Sequence, residues 1–189
     1  MATLTGLHLP QLKIKIRFMK IGIVGAHGVG KTTLAKNLSQ KLKFALIPDT
    51  AAEAFHKGWA VNEKTTLENQ FWILSKQIEY ERAFLNKFIA DKTLYDNIVY
   101  SQFVIKYKPA LKVIEKIVYE NSNYDILIYL PIEIPLVADG RSIEPNFQKI
   151  IDQEYLKLLK KLNLKFYKIS GDISQRTEQA YKLVTSLLK

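Results

Sequence analysis

One short stretch constrains this chain more than any other. GAHGVGKTT, Gly25 to Thr33, matches the pattern G-x-x-x-x-G-K-[ST] at Gly25, Gly30, Lys31 and Thr32. The apolar run MKIGIV precedes it and LAKNLSQKLKF follows, so a strand delivers the chain into the loop and a helix carries it away. Glycines let successive backbone N–H groups turn inward around phosphate oxygens, and the helix aims the positive end of its dipole at the same point. Lys31 is then placed to reach β- and γ-phosphates, and the Thr32 hydroxyl to coordinate Mg²⁺. The expected nucleotide contacts are therefore Gly25, Ala26, His27, Gly28, Val29, Gly30, Lys31, Thr32 and Thr33. His27 is expected as a loop position facing solvent, because the cradle works through backbone groups and needs no imidazole.

The loop alone does not say how the rest of the chain is arranged; periodicity does. From Met19 onward short β-rich runs alternate with longer helical patterns, the signature of βαβ units on a parallel sheet. Strands are expected near 20–25, 44–48, 87–91, 124–130 and 164–169. Helices are expected near 30–42, 65–85, 96–107, 110–121, 146–162 and 174–188. Phe71, Leu74, Ile78 and Leu85 repeat at three, four and seven residues, as a core-facing helix requires. Residues 1–18 precede this pattern, and their alternation of Leu12, Ile14, Ile16 and Phe18 with Lys13, Lys15 and Arg17 suits an added edge strand or a leader. Residues 19–189 read as a single domain, since 189 residues at 48% hydrophobic supply one substantial core.

Composition mainly excludes. There are no cysteines, so disulfides, thiolate metal sites and cysteine nucleophiles are ruled out. No run has the length and apolarity of a membrane span, and the opening residues lack the apolar core of a signal peptide; the expected compartment is the cytoplasm and no membrane partner is expected. The formal net charge of +10 invites a nucleic-acid reading. Yet only four of the 28 basic residues are arginine, and the lysines are scattered singly, as on a solvated surface. No specific nucleic-acid partner is expected.

Motors, switches and small-molecule kinases share such a loop, so other motifs must choose among them. The guanine-reading N-K-x-D and the D-x-x-G of GTPase switches are absent, and KFIAD is followed by Lys92 where ATP-driven motors carry adjacent Asp-Glu. KFIADKTLYDNIVYS, Lys87 to Ser101, resembles the Asp-Arg-Ser strand end of the ribosylnicotinamide-kinase-like (NadR-type) P-loop ATPases, relatives of thymidylate and deoxynucleoside kinases. IPDTAAEAFHKG, LENQFWILSKQIEYE and YDILIYLPIEIPLVADGRSIEPNFQKIID are similar, in order, to that family's second strand, glutamine-bearing helix, and fourth strand with lid. The sequence departs from the family at Ala52 and Lys92, where arginines are common; lysine keeps the charge but loses the bidentate fork that grips a phosphate.

The resemblance implies a three-layer α/β P-loop NTPase with a five-stranded parallel sheet of order 2-3-1-4-5 and a lid segment. It also implies an ATP- and Mg²⁺-dependent kinase acting on a small-molecule acceptor whose identity is not legible. A nucleotide-dependent regulatory protein is the alternative that the family also accommodates. Asp91 falls on the motif aspartate and is expected, with Thr32, on the metal side; a turn-capping acid is the competing account. Asp49 ends the second strand, beyond which ligands of open α/β sheets bind, and is expected to orient or deprotonate an acceptor hydroxyl, with Glu53 as its substitute; a turn-capping residue after Pro48 is the competing account. Gln70 and Gln77 share a helix face that the resemblance sets toward the acceptor, and Phe71 and Trp72 are expected as core or pocket wall. Arg141, in the proline-bearing stretch 131–146, is expected to neutralise charge on the transferring phosphoryl group. Gly171 and Arg176, after the last strand, are expected beside the nucleotide base, Arg176 by stacking on it. Arg82 is expected to pair with a neighbouring acid.

Overall fold

A computed structural model describes residues 18–61, 64–84, 86–134 and 145–188. Of the expected leader or edge strand, residues 1–18, all but Phe18 lie outside the described residues, as does most of the lid stretch, Arg141 included. Five strands, β1 (Met19–Val24), β2 (Ala45–Ile47), β3 (Lys87–Ala90), β4 (Ile126–Tyr129) and β5 (Phe166–Lys168), form one parallel sheet in the order β2-β3-β1-β4-β5. The seven described helices are α1 (Lys31–Leu42), α2 (Thr50–His56), α3 (Leu67–Ala83), α4 (Leu94–Val104), α5 (Lys108–Asn121), α6 (Pro145–Lys161) and α7 (Ile173–Leu188).

Central strands of a parallel sheet are covered on both faces, which is why β1 and β4 read as continuous apolar runs rather than alternating ones. Ile21, Ile23, Phe88, Ile89 and Ile128 are wholly buried. α1 packs on α7, while α4 packs against α3, α5 and α6, so the helices form two layers around the sheet. Gly22, in the middle of β1, faces Thr93 at the start of α4; a Cβ there would lie 2.5 Å from the Thr93 methyl, so a side chain would push the helix off the strand.

The five expected strands and six expected helices are all present, with boundaries moved by a few residues. One element was not anticipated. α2 begins directly after Asp49, whose carboxylate accepts from the N–H groups of Ala51 (2.9 Å) and Ala52 (3.1 Å). Its alanine-rich sequence has high helix propensity and its cap is a strong start signal, but seven residues are too short to show a period.

Candidate functional site: a phosphate loop beside a cleft

The order β2-β3-β1-β4-β5 places the carboxyl ends of β2 and β3 alongside the loop that leaves β1. Gly25 and Gly30 take φ values of 143° and 90°, backbone shapes that side chains disfavour. A Cβ on Gly25 would also sit 2.5 Å from the Leu130 carbonyl oxygen, so the loop and the end of β4 can approach only at a glycine. Gly30 then ends the loop as the left-handed N-cap of α1, where no side chain competes for the helix's first N–H groups.

Lys31 is buried, and its ammonium donates to the carbonyls of Gly25 (2.7 Å) and Ala26 (2.6 Å), folding back over the loop it belongs to. Burial lowers its pKa to about 8; the nearby carboxylates of Asp96, Asp91 and Asp49 oppose the fall. Thr32 and Thr33 are exposed at the first turn of α1. Asp91 follows β3 and is buried, with its N–H held by the Ile47 carbonyl of β2 at 3.0 Å. Burial raises its carboxyl above the ordinary value, against a lowering hydrogen bond with Thr32, while its Oδ1 is buried with no hydrogen-bond partner among the described residues. An orphaned carboxylate oxygen beside an exposed hydroxyl at a phosphate loop is the donor set that Mg²⁺ takes up together with phosphate oxygens and water. Among the described residues there is no cluster of three or more acids or histidines that would make an all-protein cage.

Beside the loop lies a partly open cleft of about 650 Å³, bounded by helices α3, α4 and α6. Its walls are largely apolar or aromatic: Ile73, Tyr100, Phe103, Val104, Phe147 and Ile150. Polar groups also line it, notably Gln70, Gln77, Lys92, Asp96 and Asn97. Gln70 donates to Asn97 (2.9 Å), and Gln77 donates to Glu81 (2.8 Å) and to the Lys92 carbonyl (3.0 Å), so both amides are held in fixed orientations. The shared face that the spacing of these two glutamines implied is therefore the face that lines the cavity. Lys92 bridges to Asp49 at 3.4 Å and lies over the Tyr100 ring, 5.1 Å from its centre. Asp96 caps α4 through Thr93, accepting from its N–H and its hydroxyl at 2.8 Å each.

Beneath the cavity floor lies a network that no sequence pattern announced. Glu81 accepts from Gln77 and from Tyr124, whose oxygen in turn accepts from the Leu94 N–H at the start of α4. Burial lifts the Glu81 carboxyl to about 7. Single buried acids of this kind carry no periodic signal; only the packing of α3 against α4 reveals them.

Several expectations are corrected by placement. His27 does not face solvent: it is half-buried, lines the cavity, sits 5.8 Å from the Phe147 ring, and its carbonyl accepts from Gln148 at 2.7 Å. Glu53 points to Tyr80, accepting its hydroxyl at 2.8 Å, and is not part of the cavity. Arg82 bonds the Asn121 side chain, not an acid, at 2.8 Å. Trp72 stacks edge-on against Trp59 rather than walling the cavity. Arg176 is wholly buried, with its guanidinium turned to the Val29 carbonyl (2.6 Å) and to Glu133 (2.9 Å), so it presents no face to a base. Gly171 has φ 102° and gives its N–H to the same Glu133 at 2.8 Å.

A parallel sheet in this order, with a glycine loop opening α1 and an acid ending β3, defines a P-loop NTPase of the α/β class. The chain belongs to the family described as "AAA domain", whose model matches residues 20–176. Its strand end nevertheless reads Asp91-Lys92, without the adjacent Asp-Glu of ATP-driven motors. Among solved structures, NadR in complex with NR superposes with a TM-score of 0.74 at 15% identity over 89% of this chain; this chain spans 51% of that one. A deoxyadenosine kinase from M. mycoides, bound to its products, gives 0.65 at 20% identity over 89% of this chain and all of that one. A thymidylate kinase from Candida albicans gives 0.66 at 20% identity, covering 90% and 92%. Among proteins of curated function none matches the sequence significantly. The resemblance expected from the motifs is thus present in the fold.

Proposed function

We propose that the protein is an ATP-dependent phosphotransferase that moves the γ-phosphoryl group of MgATP to a hydroxyl of a small nucleoside- or nucleotide-type acceptor. The observation that carries this reading is the cavity: a partly open, aromatic-walled cleft with fixed amides, adjoining the phosphate loop, is what an acceptor kinase needs and a pure switch does not. The superposition of a deoxyadenosine kinase and a thymidylate kinase supports it at the level of fold. No helix among the described residues is long and apolar enough to cross a membrane, and a cytoplasmic enzyme drawing on MgATP accords with that.

The loop's N–H groups and Lys31 would hold the phosphates, the ammonium leaving the Gly25 and Ala26 carbonyls for the β- and γ-oxygens. Thr32 and Asp91 would hold Mg²⁺, which supplies neutralisation of the charge on the transferring group. Asp49, which caps α2 and pairs with the cavity residue Lys92, is assigned to the acceptor side, where it would align the attacking hydroxyl and take its proton. Arg141 is assigned to the lid role over the phosphoryl group.

The test is an acceptor screen with MgATP, reading ADP release and phosphorylated product over nucleosides and nucleoside monophosphates. Asp49→Asn should leave MgADP binding nearly intact and lower transfer roughly 10²- to 10⁴-fold, as removal of a general base does. Because phosphoryl transfer is loose, the loss belongs at the low end of that range. No phosphorylated product from any acceptor, with Asp49→Asn altering only binding, would replace the kinase reading with that of a nucleotide-dependent regulatory protein.

A further inference from the structure

Arg176 is the largest fully buried side chain of the described residues, and it lies immediately behind the phosphate loop. One guanidinium nitrogen, Nη1, donates to the Val29 carbonyl at 2.6 Å; the other, Nη2, donates to Glu133 at 2.9 Å. The Glu133 oxygen that receives Nη2 also receives the Gly171 N–H at 2.8 Å. Three loops, those leaving β1, β4 and β5, are therefore joined at one ion pair.

The consequence lies in the peptide unit between Val29 and Gly30. A trans peptide is planar, and its C=O and N–H point in opposite directions. With the Val29 carbonyl drawn back onto Arg176, the Gly30 N–H is aimed forward, into the concave side of the loop. Gly30 is a residue whose backbone can rotate easily, so this direction needs an external hold. Arg176 and Ile134 pack beside this peptide: a Cβ on Gly30 would come within 3.3 Å of Ile134 and 3.7 Å of Arg176 Nη1.

We propose that Arg176 is a positioning residue for the triphosphate, acting through the Val29–Gly30 peptide, and that Glu133 holds it in register with the loops after β4 and β5. Arg176 does not touch the nucleotide. It acts on the cradle, so its effect belongs to the phosphate chain and not to the base. The proposal rests on the reading of Gly25–Thr33 as a nucleotide cradle but needs no acceptor, so a failed acceptor screen would sink the kinase reading and leave it standing.

The experiment compares affinities of the full chain for MgADP and for magnesium tripolyphosphate, by calorimetry without acceptor. Arg176→Met removes both donors at nearly constant volume and should weaken the two ligands alike, roughly tenfold or more, the effect of leaving a buried carbonyl unpaired. Arg176→Lys keeps one donor for the Val29 carbonyl and should restore most of both affinities. Glu133→Gln, which leaves the guanidinium in place without its counter-charge, should give an intermediate loss shared by both ligands. If Arg176→Met does not fold, Glu133→Gln carries the test, with equal losses for the two ligands expected. A loss for MgADP with tripolyphosphate unchanged would place Arg176 at the base and overturn the proposal; so would unchanged affinity for both.

Discussion

Raising the pH should weaken nucleotide binding through Lys31. In the free protein its pKa lies at about 8, because the buried ammonium is stripped of water and only partly repaid by the carboxylates of Asp96, Asp91 and Asp49. Phosphates bound beside it favour the charged form and return the pKa toward the ordinary lysine value or above. The sign follows: binding takes up a proton, so affinity falls as pH rises through the free-state pKa. With a free pKa of about 8, the ammonium is roughly nine-tenths charged at pH 7 and roughly one-tenth at pH 9, so Kd for MgADP should rise about tenfold between them. Proton uptake on binding should grow from about 0.1 to about 0.9 over the same interval. Calorimetry in buffers of different ionisation enthalpy measures both quantities in one series. Lys31→Ala should bind more weakly and show neither the slope nor the uptake. A flat Kd with no proton uptake at pH 9 in the wild type would refute the claim that burial depresses this lysine.

Two further outcomes are expected. Glu81, lifted to about 7 by burial, keeps a proton in the folded state that the unfolded chain releases near 4.5, so its contribution to stability falls as pH rises from about 4.5 to 7 and is level above that. Glu81→Gln keeps the size and the acceptor oxygen, and its Tm should gain on the wild type across that window in scanning calorimetry; parallel curves would mean the acid is charged throughout. Gly22→Ala sets a methyl against Thr93 and should cost about 1–3 kcal/mol in urea unfolding, as overpacking does. An unchanged midpoint would show that α4 gives way without cost.

Local chemistry is legible in a sequence when one residue type at one spacing can do one thing. The phosphate loop is of that kind: Gly25, Gly30, Lys31 and Thr32 need only a strand before them and a helix after, and all of this is written consecutively. The strands and long helices follow because burial on one or both faces leaves a period or an unbroken apolar run. Even the pairing of Gln70 with Gln77 on one face is a matter of helical pitch.

What tertiary structure alone decided is which distant residues meet. Arg176 and Val29 are 147 positions apart, and nothing in SGDISQR says that its arginine will turn inward behind the loop instead of outward to a base. Lys92 reaches Asp49, and Glu81 reaches Tyr124, only because parallel strands β2, β3 and β4 bring their connecting segments to neighbouring positions. His27 became a cavity residue because Phe147 and Gln148 of α6 pack over it, a contact across more than half the chain. The backbone pattern encodes elements through local periodicity, whereas a site assembled between elements depends on crossovers whose geometry leaves no mark on the residues that end up facing each other.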